Sequence, residues 1–180
     1  LSLSTSMSHP YIGSETMALA VSWNATQYIE NPWLEHHVLA LRYAGATSEG
    51  RASDKANFAL GGFPASSIID GLVDGIVLGG VAFRGYPVSG DVGSQYHLLQ
   101  AEYRFLLFRV QWGPETLPFF LNRVWANVFT DVGDAFDGGI EHIRPRAGSG
   151  VELLTDFTQA YYQAFTLRVG VARGWNTGGE

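Results

Sequence analysis

The sequence predicts an all-β, antiparallel, up-and-down fold, on three observations. Six stretches of about ten residues alternate between apolar and polar side chains, the period-two signature of strands. The 22 glycines in 180 residues follow no collagen period, so they belong to turns and close backbone approaches. No apolar run reaches the roughly 18 residues of a membrane-spanning helix, which leaves strands as the only segments that could cross a bilayer.

The first strand is expected over residues 16–28, with Met17, Leu19, Val21, Trp23 and Ala25 on one face and Thr16, Ala18, Ala20, Ser22, Asn24 and Thr26 on the other. Asn31-Pro32 signals a turn, and residues 37–47 return with Leu39, Leu41 and Tyr43 opposite Ala40, Arg42 and Ala44. Residues 49–92 break the rhythm with Ser, Gly and Asp runs, the Asp70-Gly71 and Asp74-Gly75 turns, and the short apolar pieces Phe58 to Phe63 and Ile76 to Leu78. A connection of that length is usually functional or disordered, and its apolar content argues against disorder. Alternation resumes over residues 95–108, where Leu99, Ala101, Tyr103, Phe105 and Leu107 oppose Gln100, Glu102 and Arg104. Over residues 120–133, Val124, Ala126, Val128, Thr130 and Val132 oppose Arg123, Trp125, Asn127, Phe129 and Asp131. Residues 148–157 set Val151, Leu153 and Phe157 against Gly150, Glu152, Leu154 and Asp156, and residues 165–172 set Phe165, Leu167, Val169 and Val171 against Thr166, Arg168, Gly170 and Ala172.

Such faces fit a soluble barrel or sandwich with oil inside, or a transmembrane β-barrel with the sense reversed. Periodicity does not choose between them. Two observations favour the membrane form. The polar faces carry Arg, Glu and Asp with almost no Lys, ten of the eleven basic residues being Arg. Aromatics gather near strand ends, at Tyr28, Trp33, Trp112, Phe119, Phe120, Tyr161, Tyr162 and Trp175, as in interfacial girdles. At 19.6 kDa there is room for one domain or a piece of one, and the absence of an initiator Met at Leu1 fits a piece. Leu1 to Ser8 lacks the charged start and apolar middle of a signal peptide. A net charge of -6 argues against nucleic acid as a partner, and the lack of cysteine excludes disulfides, thiolate metal sites and thiol nucleophiles.

Four motifs follow one another in order. Phe83-Arg84-Gly85-Tyr86-Pro87 ends the long irregular segment, followed by Ala101-Glu102-Tyr103-Arg104-Phe105, Phe129-Thr130-Asp131-Val132-Gly133-Asp134 and Gly148-Ser149-Gly150-Val151-Glu152-Leu153. An Arg beside a Gly on a loop can extend its guanidinium fork to carboxylates while Tyr86 packs the tip. This set resembles the C-terminal barrel of the bacterial surface antigen family, which includes BamA, TamA and two-partner secretion transporters. The resemblance runs from about Phe58 to Trp175 and covers the first strands by pattern alone. It implies that residues 1–180 are the C-terminal part of an outer-membrane barrel, about six strands of a probable 16. It also implies that the 49–92 loop folds into the lumen, where Arg84, with Gly85 and Tyr86, meets Glu102 and Asp131, the latter in a Phe-x-Asp-x-Gly signature completed by Gly133. Four strands follow the loop, and residues 174–180 read as the turn into another.

Other signals are weaker. His36-His37 is no metal pair, since adjacent strand residues face opposite sides. Asn24-Ala25-Thr26 lies within an expected strand, which makes it a poor glycosylation acceptor, and Ser149 lacks a nucleophile elbow. Asp91, Asp134 and Asp137 follow no calcium-loop pattern. No cofactor and no enzymatic activity are expected. The resemblance implies a barrel that inserts or exports client proteins, with outer-membrane lipid and those clients as partners, and further periplasmic partners through an N-terminal domain outside these residues. A passive outer-membrane anchor for such a domain and a soluble β-barrel binding an apolar ligand are the alternatives.

Overall fold

A computed structural model describes residues 1–9, 11, 17–51, 56–62, 82–87 and 90–176. Its principal element is one antiparallel sheet of seven strands, in the order β1 (Ser2–Ser8), β2 (Ala18–Glu30), β3 (His37–Gly50), β6 (Gln95–Trp112), β7 (Phe119–Phe136), β8 (Arg146–Gln159) and β9 (Gln163–Gly174). Between β3 and β6, β4 (Phe58–Leu60) and β5 (Asp91–Gly93) form a separate two-stranded ribbon. Strands take up 72% of the described residues, which contain no α-helix, so no helical layer covers the sheet among them. The sheet is open, with β1 and β9 as its edges.

Six of the seven strands lie where alternation predicts them, each running beyond its expected limit at one end or both; Thr16 lies outside the described residues. The seventh, β1, is a correction to the expected count. Ser2, Ser4, Ser6 and Ser8 alternate with Leu3, Thr5 and Met7, a weak contrast that becomes a strand because β2 offers it a full ladder from Ser2↔Asn24 to Ser8↔Ala18. The 49–92 segment is likewise more than a loop. The last residues of β3 belong to it, it carries the β4–β5 ribbon, and a bridge joins Gly62 to Phe83. Its Asp-Gly turns, Phe63 and Ile76 to Leu78 lie outside the described residues.

Burial runs against the order of a water-soluble protein. Asp131 and Asn127 are fully buried and Arg84, Gln100 and Glu152 are nearly so, whereas Val151 is 51%, Leu153 50%, Leu167 55% and Val171 71% exposed. The polar face is inward because loop residues 82–87 and the ribbon lie against it. Phe83, Tyr86 and Leu60 pack there on Ala44, Ala46, Tyr96, Leu98 and Ala135, forming a small apolar core near the ends of the strands that carry the long connections.

The strands are staggered. Glu30, Val38, Arg104, Asn127, Glu152 and Gly170 stand level across the hydrogen-bonded ladders. Beyond that line β2 stops, while β6 and β7 continue to Trp112 and Phe119. In the other direction β2 and β3 extend to Ala18 and Gly50, while β9 ends at Gly174. The slide is roughly 1.6 residues per strand, which at about 3.3 Å rise and 4.8 Å spacing tilts the strands by about 45°.

The β2–β3 turn shows how short connections are fixed. Asn31 Oδ1 accepts hydrogen bonds from the backbone N–H groups of Trp33 at 2.9 Å and Leu34 at 3.3 Å, and its Nδ2 donates to the Tyr103 hydroxyl at 3.1 Å. His37 Nδ1 also bonds that hydroxyl, at 2.9 Å, tying the turn to β6. Asn31→Ala is expected to cost about 1–2 kcal/mol, seen as a lower urea midpoint with an unchanged slope.

Candidate functional site: a buried arginine on the inner face

Phe129, on β7, is the floor of the site. Its register neighbours are Glu102 on β6 and Gly150 on β8. Asp131 is the next inward residue along β7, and Glu152, level with Asn127, is the next along β8. Three carboxylates from three strands therefore surround one aromatic ring. The guanidinium of Arg84 lies over that ring, its Cζ 3.6 Å from the centroid. Arg84 Nε and Nη2 donate to the two oxygens of Asp131 at 2.8 and 2.7 Å, and its backbone N–H donates to Asp131 Oδ2 at 3.1 Å. Nη1 meets Glu102 Oε1 at 2.7 Å and stands 3.6 Å from Glu152 Oε2.

This is the bidentate geometry that suits guanidinium better than ammonium. Burial by itself lowers the pKa of Arg84. The hydrogen bond and charge of Asp131, with the charges of Glu102 and Glu152, outweigh it and hold the group above its ordinary value. The carboxylates are themselves steadied. Arg104 Nε donates to Glu102 Oε2 at 2.9 Å with Nη2 on the same oxygen, and Asn127 Nδ2 donates to Glu152 Oε2 at 2.8 Å.

The loop reaches this depth because the wall beneath it is bare. Gly85 adopts φ +90°, and a Cβ there would meet the Arg173 carbonyl carbon at 2.6 Å, so both its conformation and its closeness to β9 require glycine. A Cβ on Gly148 would stand 2.2 Å from the Arg84 carbonyl oxygen. Gln100 Nε2 holds the approaching chain by donating to the Ala82 carbonyl at 3.1 Å.

A second fastening sits at the mouth of the loop. The Tyr86 ring stacks on Phe83 with centroids 4.5 Å apart and lies under Arg146, whose Cζ is 4.9 Å from its centroid. Arg146 pairs with Asp91. The Tyr86 hydroxyl donates to the Ala147 carbonyl at 3.0 Å and accepts from the Asn176 N–H at 3.3 Å, joining the loop to the end of β9.

Arg84, Glu102 and Asp131 thus lie together, with Gly85 and Tyr86 seating the loop. Gly133 has a different place: it makes room for Leu98 and the His97 carbonyl, each 2.8 Å from where a Cβ would stand, and for Leu60 beyond. The motif residues alone do not reveal Glu152 as a third carboxylate, Phe129 as a platform, or the clamp of Arg146, Asp91 and Asn176. Glu152 and Phe129 carried a usable signal, since both fall on the polar faces. Elsewhere His36 contacts Arg109, Asp91 pairs with Arg146, Asp134 accepts the Arg144 N–H, and Asp137 accepts the Ser94 N–H; no group of His, Asp and Glu among the described residues converges as a metal site. Ser149 is a strand residue whose Oγ accepts from Trp175 Nε1 at 2.9 Å. No family model, curated protein or solved structure matches the chain.

Asp131→Asn leaves the guanidinium without its bidentate partner and is expected to destabilise the loop by about 3–5 kcal/mol, read as rapid proteolysis between Leu60 and Asp91 with the sheet's circular dichroism retained. Tyr86→Phe keeps the stacking and removes the hydroxyl, and about 1 kcal/mol is expected to be lost, with cleavage accelerating far less than in the Asp131 variant.

Proposed function

We propose that this chain is part of the barrel of an outer-membrane protein of the assembly and translocation superfamily, and that it inserts or exports client proteins. The carrying observation is the inverted burial. A sheet whose apolar alternates are exposed and whose ionised alternates are buried needs an apolar medium outside and a polar lumen inside. A soluble barrel binding an apolar ligand requires the opposite arrangement.

Two further features support the reading. A tilt near 45° is that of transmembrane strands, and its stagger is what closing into a barrel demands, further strands joining the open edges of β1 and β9. Exposed aromatics, at Tyr28, Trp33, Trp112, Tyr161 and Tyr162, crowd the short-turn end, as a membrane–water interface would select. The Arg84 loop, held against β6, β7 and β8, braces the inside of the wall. Client strands would enter at a strand edge, where unpaired backbone groups offer a template. No bond chemistry is required.

The test has two arms. Alkaline extraction of native membranes is expected to leave the protein in the pellet, and its recovery in the aqueous phase would defeat the barrel reading. Val151→Arg, on the outward face, is expected to cost about 2–4 kcal/mol of folding into liposomes, while the same change at inward Thr166 costs much less. Depletion separates transport from passive anchoring: loss of folded outer-membrane or secreted clients supports the proposed role, and unaltered clients support an anchor.

A further inference from the structure

The inner face has four guanidinium groups near one another, and three of them have carboxylates. Arg84 takes Asp131 and one oxygen of Glu102, and Arg104 takes the other oxygen of Glu102. Arg168 stands 3.6 Å from Glu152. Arg42 alone among the four bonds only neutral groups: Nε donates to Asn24 Oδ1 at 3.0 Å and Nη1 to Gln100 Oε1 at 3.1 Å. These four arginines and Glu102 line one cavity of about 340 Å³ on the short-turn side of Arg84. Its charge is unbalanced, because both oxygens of its single carboxylate are committed.

We infer that this cavity is an anion site for a carboxylate side chain of a polypeptide in the lumen, bound at Arg42 between β2 and β6. The inference rests on the barrel reading and names the partner chemistry of its interior. Carboxylate is the group with which this wall already meets Arg84, Arg104 and Arg168, and Arg42 lacks its counterpart. Lipid phosphates are kept away, since the sheet separates the cavity from the exposed apolar face. An acidic chain segment fits the excess positive charge and a cavity of this size.

The experiment uses the purified protein in detergent micelles, with hexaglutamate, hexalysine and inorganic phosphate as probes in equilibrium dialysis. Hexaglutamate is expected to bind in a salt-sensitive manner, at least tenfold more tightly than phosphate, with no binding of hexalysine. Arg42→Gln, which keeps a donor toward Asn24, is expected to weaken hexaglutamate at least fivefold. A second variant guards against a merely structural effect. Thr26 is the register partner of Arg42 on β2, so Thr26→Glu supplies the missing carboxylate within the wall and is expected to abolish binding without loss of thermal stability. Unchanged affinity in both variants, phosphate binding as tightly as hexaglutamate, or equal binding of hexalysine would each overturn the site. Membrane extraction of the same protein reports on the barrel reading separately, so the two can fail independently.

Discussion

A guanidinium removed from water must be met by carboxylates and hydrogen-bond acceptors at fixed positions, and Arg84 imposes that requirement on three strands at once. Its partners sit on β6, β7 and β8, arranged around Phe129 by the ladders Glu102↔Phe129 and Asn127↔Glu152. A slip of one residue in any of these ladders would turn a carboxylate to the opposite face, where it would be exposed and unpaired. The ion cluster therefore specifies register as well as loop position. It also explains the glycines beneath it. The loop's backbone must approach β8 and β9 closely enough for the side chain to reach Phe129, and only bare positions such as Gly148 leave the space.

The same inward charge accounts for the sheet's two faces. Alternation with period two forces the outward neighbours of Asn127, Phe129, Asp131 and Glu152 to be whatever the surroundings favour, and here they are Val128, Thr130, Val151 and Leu153. In water, an apolar face of this extent would be an adhesion hazard. Against hydrocarbon it is the stable arrangement, with the ionised groups secluded on the other side. In the proposed barrel, stagger would serve the same end, because tilted strands can curve around the loop and bring both open edges toward closure.

Much of this was legible in the sequence, and the parts that were not share a cause. Six strands and the sidedness of their residues follow from alternation, and the family resemblance carried by the four motifs implies that Arg84 meets Glu102 and Asp131. β1 escaped because serine opposite leucine, threonine and methionine gives little hydropathic contrast; its pairing with β2 decides it. Phe129 on a polar face looks like an exception until the guanidinium lies on it. Glu152 reads as one more polar alternate, and its diagonal relation to Asp131 exists only once β7 and β8 are in register. The clamp was the hardest to foresee, since Tyr86, Arg146 and Asn176 come from the long loop, the start of β8 and the residues after β9, and meet only at the mouth of the loop. Alternation reports which face a residue takes. It does not report which residues of neighbouring strands stand side by side.

The two fastenings of the loop divide the work between specificity and stability. Desolvation of Arg84, Asp131 and Glu152 offsets most of their mutual attraction, so the cluster adds little net stability while making every other position of the loop costly. The apolar seat has the opposite character. Phe83, Leu60 and Tyr86 gain from leaving water wherever they find a hydrophobic surface, roughly 1.5–3 kcal/mol for a fully buried large side chain, but they discriminate poorly between neighbouring positions. Together they give what neither supplies alone: apolar packing holds the loop in the interior, and the ion cluster decides where. Moving a loop so held to another position on the wall requires new partners for its ionised groups, whereas opening the apolar seat is what would free it from the interior.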